Sequence, residues 1–503
     1  MSDKNVPTVV FMSHVGQIDD YASIAEQLKE RVPVKAVLWT LGGLDFDCGS
    51  RAAGFDEVVN LLDGFRRDAA VSDEEHRNHL RTLREIELRC GGVFYHQDAA
   101  LDRSLTGFTD AEVDYVRIRN RWSHREIASM SVCLAAAVQA ELCQRDVRVV
   151  VGESNTLPYR LVYRLLKASG IPKMYPNGQP HVGARMYFDT VLDGSWPRCI
   201  DTYRQMREGG VRTDVRQESE EILEQLRTNH IKPYYFQSFK RGARSWRQRL
   251  TIHRLIAAVR ESRRLASPRM QANPRAVPPE VLTLRARVRR MVSLRRRQLF
   301  YERITKRQVP APPYALYLFH VQPEVTVEGL AFEYQDQVAL VRNIVASLPA
   351  DVPLVVKEHK VEAGRRSVEF YGEIASIPNV VLVHDTIDSM TLVKQAAVAI
   401  TLTGTIALEA LCVGVPAITL GNIYYDQFPG VYRARSIDEL RALLARIDEL
   451  SPATVEDALL VLAARIAACH PGAYPGERGD VANSCLLAEA LMQECDLAGI
   501  SLA

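Results

Sequence analysis

The chain has little of what marks a secreted, membrane-spanning or metal-built protein. Its 9 cysteines include no Cys-x-x-Cys pair and no Cys/His spacing of a zinc site. An odd number also argues against a disulfide framework. No run approaches the ~18 apolar residues that a spanning helix needs. The longest candidate, Met130 to Ala140, is broken by Gln139 and followed by Glu141. Met1-Ser2-Asp3-Lys4-Asn5 leads into apolar residues without a basic-then-apolar leader. Asp45-Phe46-Asp47 has the form of a metal-binding Asp-x-Asp, but such triplets arise readily by chance, and no metal is expected. The expectation from these absences is a reduced, cytoplasmic protein.

What is present suits two domains. The chain has 503 residues, 47% of them hydrophobic and 25% charged, enough to bury two cores. The net charge of +2 hides an asymmetry: Lys240 to Arg307 holds 21 Lys/Arg against 3 Asp/Glu. A block of that kind points to an anionic partner, a membrane surface or a lipid pyrophosphate; the alternative is a solvated helical pair whose charge only aids solubility. The segment is short of aromatic residues, which argues against nucleic acid.

Thr8–Met12 is a short apolar run, Tyr21 to Arg31 has helical spacing, and Val34–Trp39 is apolar again. Strand, helix and strand with short links predict a parallel βαβ unit. Arg148–Gly152 adds a further buried-type strand. From 201 to about 310 apolar strands vanish and Arg-rich helical stretches take over, closed by Pro310-Ala311-Pro312-Pro313. Strand–helix alternation then resumes from Tyr314 to Leu420. The expected plan is α/β: residues 1–200 form a Rossmann-like domain and 201–310 a basic helical insertion. Residues 311–503 form a second Rossmann-like domain with a helical tail.

Three clusters in the second half fall where strands end. In Thr401-Leu402-Thr403-Gly404-Thr405-Ile406-Ala407-Leu408-Glu409 a strand runs into a small turn that opens a helix. Backbone N–H groups at a helix start suit a phosphate, and Gly404 admits close approach. Glu409 lies one turn after Thr405, so its carboxylate is placed to accept from ribose hydroxyls. Gly414 and Pro416 then end the helix. The second cluster, Lys357-Glu358-His359-Lys360, offers Lys357 and His359 to a phosphate or a leaving nucleotide. In the third, His320-Val321-Gln322-Pro323-Glu324, the proline fixes a loop that presents Gln322 and Glu324. The bland alternatives are a capped helix and two solvated turns.

In this order the clusters resemble the capsule polysaccharide biosynthesis family of bacterial glycosyltransferases, which includes Kdo transferases. The resemblance is strongest over about 315–432, through Gln322-Pro323-Glu324-x-Thr326, Lys357-Glu358-His359 and Thr403-Gly404-Thr405-x-x-x-Glu409-Ala410. It implies a GT-B fold, a nucleotide-sugar donor such as CMP-Kdo, a glycan or lipid-linked acceptor and no cofactor. Kdo-transferring members usually carry His-Pro in the second motif, whereas here Lys360 follows His359, so the donor sugar stays open.

On such a fold the catalytic group should come from N-terminal loops. Glu153, just after Val149–Val151, is the first candidate, with Asp19 and His14 behind it. Asp19 and Asp20 equally suit the start of a helix. Arg185, in the Gly-punctuated stretch Asn177–Arg185, is a candidate for holding an acidic sugar or the acceptor. The competing readings are a sugar-nucleotide 2-epimerase, a polyol-phosphate polymerase and a non-catalytic polysaccharide-binding or export subunit. The polymerase would call for an Asp-Tyr-Ser-Ser turn where Thr403-Gly404-Thr405 stands.

Overall fold

The computed structural model describes residues 6–12, 17–41, 53–66, 70–102, 122–152, 156–228, 260, 263, 284–322, 324–474 and 480–502. The first half builds a sheet from β1 (Pro7–Met12), β2 (Lys35–Thr40), β3 (Glu57–Asn60), β4 (Asp146–Gly152), β5 (Lys173–Gly178) and β6 (Arg185–Asp189). The second uses β7 (Ala315–Leu318), β8 (Leu354–Lys357), β9 (Val380–Val383), β10 (Val398–Thr401), β11 (Ala417–Thr419) and β12 (Val431–Arg433). A short β13 (His470–Pro471) returns to the first sheet. Strands β1, β8 and β10 are buried along nearly their whole length. Continuous apolar runs are what parallel strands covered on both faces require.

The second sheet is ordered β9-β8-β7-β10-β11-β12, parallel throughout. The first is ordered β3-β2-β1-β4-β5-β6-β13; β3 to β5 run parallel, and β6 and β13 join antiparallel. Both therefore have Rossmann-type order, reversing direction between β1 and β4 and between β7 and β10. Ligands bind outside the strands' carboxyl ends at such switch points.

Two segments depart from the expected boundaries. The helices Pro197–Gly209 and Thr213–Arg227 pack on the helix Val455–Ala467. There Ile222, Leu223 and Leu226 share a core with Leu408, Leu411 and Leu459. Residues 201–227 thus cover the second sheet. The final helix, Val481–Leu497, lies instead on the helix Ile18–Lys29 and buries Leu487 and Leu491 with Tyr21, Ile24 and Leu28. An apolar helical stripe specifies that a helix must be covered, but not which sheet covers it.

One helix among the described residues, His124–Gln144, is long and apolar enough to cross a membrane. Its Ile127, Leu134 and Val138 belong to the first half's core.

Candidate functional site

At the second switch point the chain leaves β7 and reaches His320 two residues later, opposite the end of β10. His320 Nε2 lies 2.9 Å from Thr401 Oγ1 and accepts the Leu402 N–H at 3.1 Å. Thr401 Oγ1 accepts the Gly404 N–H at 3.0 Å. Burial, helped by the nearby His359 and Arg366, pushes the His320 pKa down to about 3, so the ring is neutral and free to accept. Tyr425 OH donates to the carbonyls of Thr403 and Gly404, at 2.5 and 2.8 Å. The turn is therefore fixed from two sides. A Cβ at residue 404 would lie 2.6 Å from Thr401 Oγ1 and 3.1 Å from His320 Cε1. Packing on this bridge is thus itself a reason for glycine, apart from the ligand approach expected from sequence.

The helix Ile406–Val413 starts at this turn and ends on Gly414, whose φ is +73°. The Thr405 side chain makes no capping bond, and the Thr403 hydroxyl is buried without a hydrogen bond. A helix start with such a hydroxyl beside it suits an anion that brings its own acceptors. Glu409 Oε1 lies 3.4 Å from Thr405 Oγ1, so the two share the face predicted from their spacing.

The other two clusters divide into scaffold and surface. Arg366 is wholly buried; its Nε donates to Glu358 Oε2 at 2.7 Å, and its Nη2 donates to the His320 carbonyl. Glu358 also accepts from Tyr371 OH at 3.2 Å and from the His359 N–H at 2.8 Å. Gln322 donates to the Gln335 carbonyl at 2.8 Å and accepts from Gln337 Nε2 at 2.7 Å. Both ends of this amide are engaged, so Gln322 helps to hold its loop. Glu324 is exposed and precedes the helix Val325–Leu330.

Lys357 is buried and donates to Ser389 Oγ at 2.6 Å. The His359 pKa is pushed down to about 4 by burial, then by Lys357 and Arg366. Its Nδ1 accepts the Val361 N–H at 3.3 Å, which assigns the ring hydrogen to Nε2. At neutral pH the His359 ring is thus uncharged and does not bring the positive charge expected from sequence.

In the first half, His14, Glu153 and the Asp45-Phe46-Asp47 triplet lie outside the described residues. The strand ends before His14 and Glu153 are paired, Met12 with Gly152. Gly152 has φ +137°, and a Cβ there would sit 1.7 Å from the Met12 carbonyl oxygen. Asp19 and Asp20 occupy the first turn of Ile18–Lys29, Asp19 exposed. Arg185 is bound to both Glu218 oxygens, at 2.7 and 2.9 Å, and to the Val182 carbonyl at 2.8 Å. Its planar fork is engaged by Glu218, so an acidic sugar at Arg185 would have to displace that pair.

Sequence reading missed His181, a lone histidine in no motif. The loop between β5 and β6 brings its Nε2 to 3.2 Å from Glu409 Oε1. Gln179 Oε1, in the same loop, accepts from Tyr424 OH at 3.1 Å and from Arg465 Nη2 at 3.2 Å. Arg465 Nη2 also donates to the Pro180 carbonyl at 2.7 Å. These contacts make the carboxyl edges of the two sheets face each other across the Thr403–Thr405 turn.

Residues 287–465 match the family described as capsule polysaccharide biosynthesis protein. No curated protein matches the chain. Among solved structures it is similar to Thermosulfurimonas dismutans KpsC, beta Kdo 2,4 transferase, at 13% identity over 63% of this chain and 79% of that one, TM-score 0.36. The KpsC beta Kdo 2,7 transferase of that organism gives 10% identity over 74% and 90%, TM-score 0.31. The UDP-GlcNAc 2-epimerase of Methanocaldococcus jannaschii gives 10% over 92% and 98%, TM-score 0.28. The stretch that holds Gln322, His359 and the Thr403–Glu409 motif is thus the stretch over which this chain resembles the capsule polysaccharide biosynthesis family.

Proposed function

We propose that the chain is a glycosyltransferase that moves a sugar from a nucleotide donor to a growing surface polysaccharide or glycolipid. The observation that carries this reading is the Thr403–Thr405 turn with Glu409 at a switch point, facing the carboxyl edge of the other sheet. A donor phosphate sits at the start of Ile406–Val413, where backbone N–H groups and the Thr403 hydroxyl favour an anion. Glu409 accepts from the ribose, and His359 donates from Nε2 to the leaving phosphate. The sugar then projects toward the first sheet, where Glu153 acts as general base or nucleophile, with Asp19 and His14 in reserve. Positioning and hydrogen bonding carry the chemistry in this scheme, and no metal or cofactor takes part.

The donor sugar is decided by experiment. The chain is incubated with CMP-Kdo, UDP-GlcNAc and other sugar nucleotides, with and without glycan or lipid-linked acceptor, and nucleotide release is followed. Acceptor-dependent release supports the transferase. Epimer formation without acceptor indicates the epimerase, and binding without turnover indicates the export-type subunit.

The helix Leu284–Ile304 suggests where this takes place. Met291, Val292 and Leu299 are exposed beside Arg295, Arg296 and Arg303. A groove of about 900 Å³ runs among Leu294, Leu299, Phe300 and Val368. Apolar residues interleaved with arginines suit an anionic membrane surface, so the chain works in the cytoplasm, at the inner face of the plasma membrane.

A further inference from the structure

His181 combines features that a merely structural loop residue does not need. It is buried, with its side chain only 2% exposed. Its backbone φ is +70°, in the left-handed region where a side chain other than glycine is uncommon. Neither ring nitrogen makes a hydrogen bond, although Nε2 lies 3.2 Å from Glu409 Oε1. A buried imidazole without a hydrogen bond on either nitrogen is a group poised to take one. A strained backbone persists only where its surroundings over-determine it.

The surroundings do so here, and they belong to the opposite half. Arg465 and Tyr424 grip Gln179 and Pro180, the two residues before His181. Tyr425, the neighbour of Tyr424, holds the carbonyls of Thr403 and Gly404. One dipeptide therefore ties the His181 loop to the turn that starts the helix of Glu409. The contacts of Glu409 with His181 and Thr405 both fall on Oε1.

We infer that His181 is a donor-contacting residue supplied by the first half, which closes the ribose subsite over Glu409 and binds the nucleoside part of the sugar nucleotide. The inference rests on the donor-site reading above. In the bound state Glu409 and His181 hydrogen-bond the ribose hydroxyls together, each from its own sheet. Donor binding then gives the His181 ring a hydrogen-bond partner that the protein does not supply, and it draws the two halves onto one ligand.

The backbone provides a clean test, because glycine suits φ +70° and removes only the ring. His181→Gly and wild type are compared by thermal unfolding without ligand, then by calorimetric titration with CMP, UDP and their 2′- and 3′-deoxy forms. The variant should unfold at the wild-type temperature or above. It should bind the ribonucleotide at least tenfold more weakly, and the gap should shrink to near unity for the deoxy form that lacks the contacted hydroxyl. Wild-type affinity in His181→Gly, alongside loss of affinity in Glu409→Gln, overturns the inference and leaves the donor site standing. A gap that is the same for ribo and deoxy forms also overturns it. A wild-type chain that binds neither nucleotide removes the donor-site reading and this inference together.

Discussion

Two half-buried histidines, His320 and His359, tie the turn to pH. In the folded chain His320 titrates at about 3 and His359 at about 4, both held down chiefly by burial. The unfolded chain protonates these groups near the ordinary value of about 6.5. Between the two values the unfolded state binds more protons, so stability falls as pH drops below about 6.5 and levels off only near the folded values. His320→Gln keeps an acceptor for the Leu402 N–H and removes one titrating group. Its urea midpoint should decline less than that of wild type between pH 7 and pH 4.5; equal declines would mean that His320 is not a source of the acid sensitivity. Arg185 gives a second residue-scale expectation. Its pair with Glu218 is partly exposed, and such pairs contribute about 0–1 kcal/mol. Arg185→Gln should therefore leave nucleotide affinity within about twofold, and a loss beyond about tenfold, some 1.4 kcal/mol, would return it to the site. The spacing of Thr405 and Glu409 was legible because a helix repeats. The commitments of Gln322, Glu358 and Arg185 were not, because their partners Gln337, Arg366 and Glu218 come from other segments of the chain.

At the scale of elements, turn and helix form one unit. Gly404→Ala must push the new methyl against Thr401 Oγ1 and the His320 ring. Overpacking of this kind costs about 1–3 kcal/mol, which should appear as a lower denaturation midpoint together with weakened nucleotide binding. An unchanged midpoint would mean that the His320–Thr401 bridge yields easily. The helix Leu284–Ile304 makes a separate prediction: the chain should float with anionic vesicles at low salt. Replacing Arg295, Arg296 and Arg303 with Gln should weaken that association by about 1 kcal/mol per residue. Flotation unaffected by these changes, or its absence in wild type, removes the membrane role. Strand–helix alternation was readable because Val149–Val151 and Val398–Ile400 are continuous apolar runs of the kind buried parallel strands need. The attachment of Val481–Leu497 to the first half was unreadable, since any apolar sheet-covering layer satisfies its stripe.

For the whole molecule, the expected arrangement of two Rossmann-like sheets is found, with their carboxyl edges opposed through His181, Gln179, Tyr424 and Arg465. In the proposed scheme that opposition divides labour: the second sheet would hold the donor and the first would act on it. Glu153→Gln should then lower turnover by about 10²-fold or more while donor affinity survives. Near-normal turnover would pass the role to Asp19, and loss of donor affinity would mean that the halves are assigned the wrong way round. The central claim, that a nucleotide binds at the Thr403–Glu409 motif, is tested most directly by calorimetric titration of CMP and UDP into wild type and Glu409→Gln. One nucleotide should bind wild type, and the variant should lose about 1–3 kcal/mol, the scale of a charge-assisted hydrogen bond. Equal affinity in the two proteins would contradict the account.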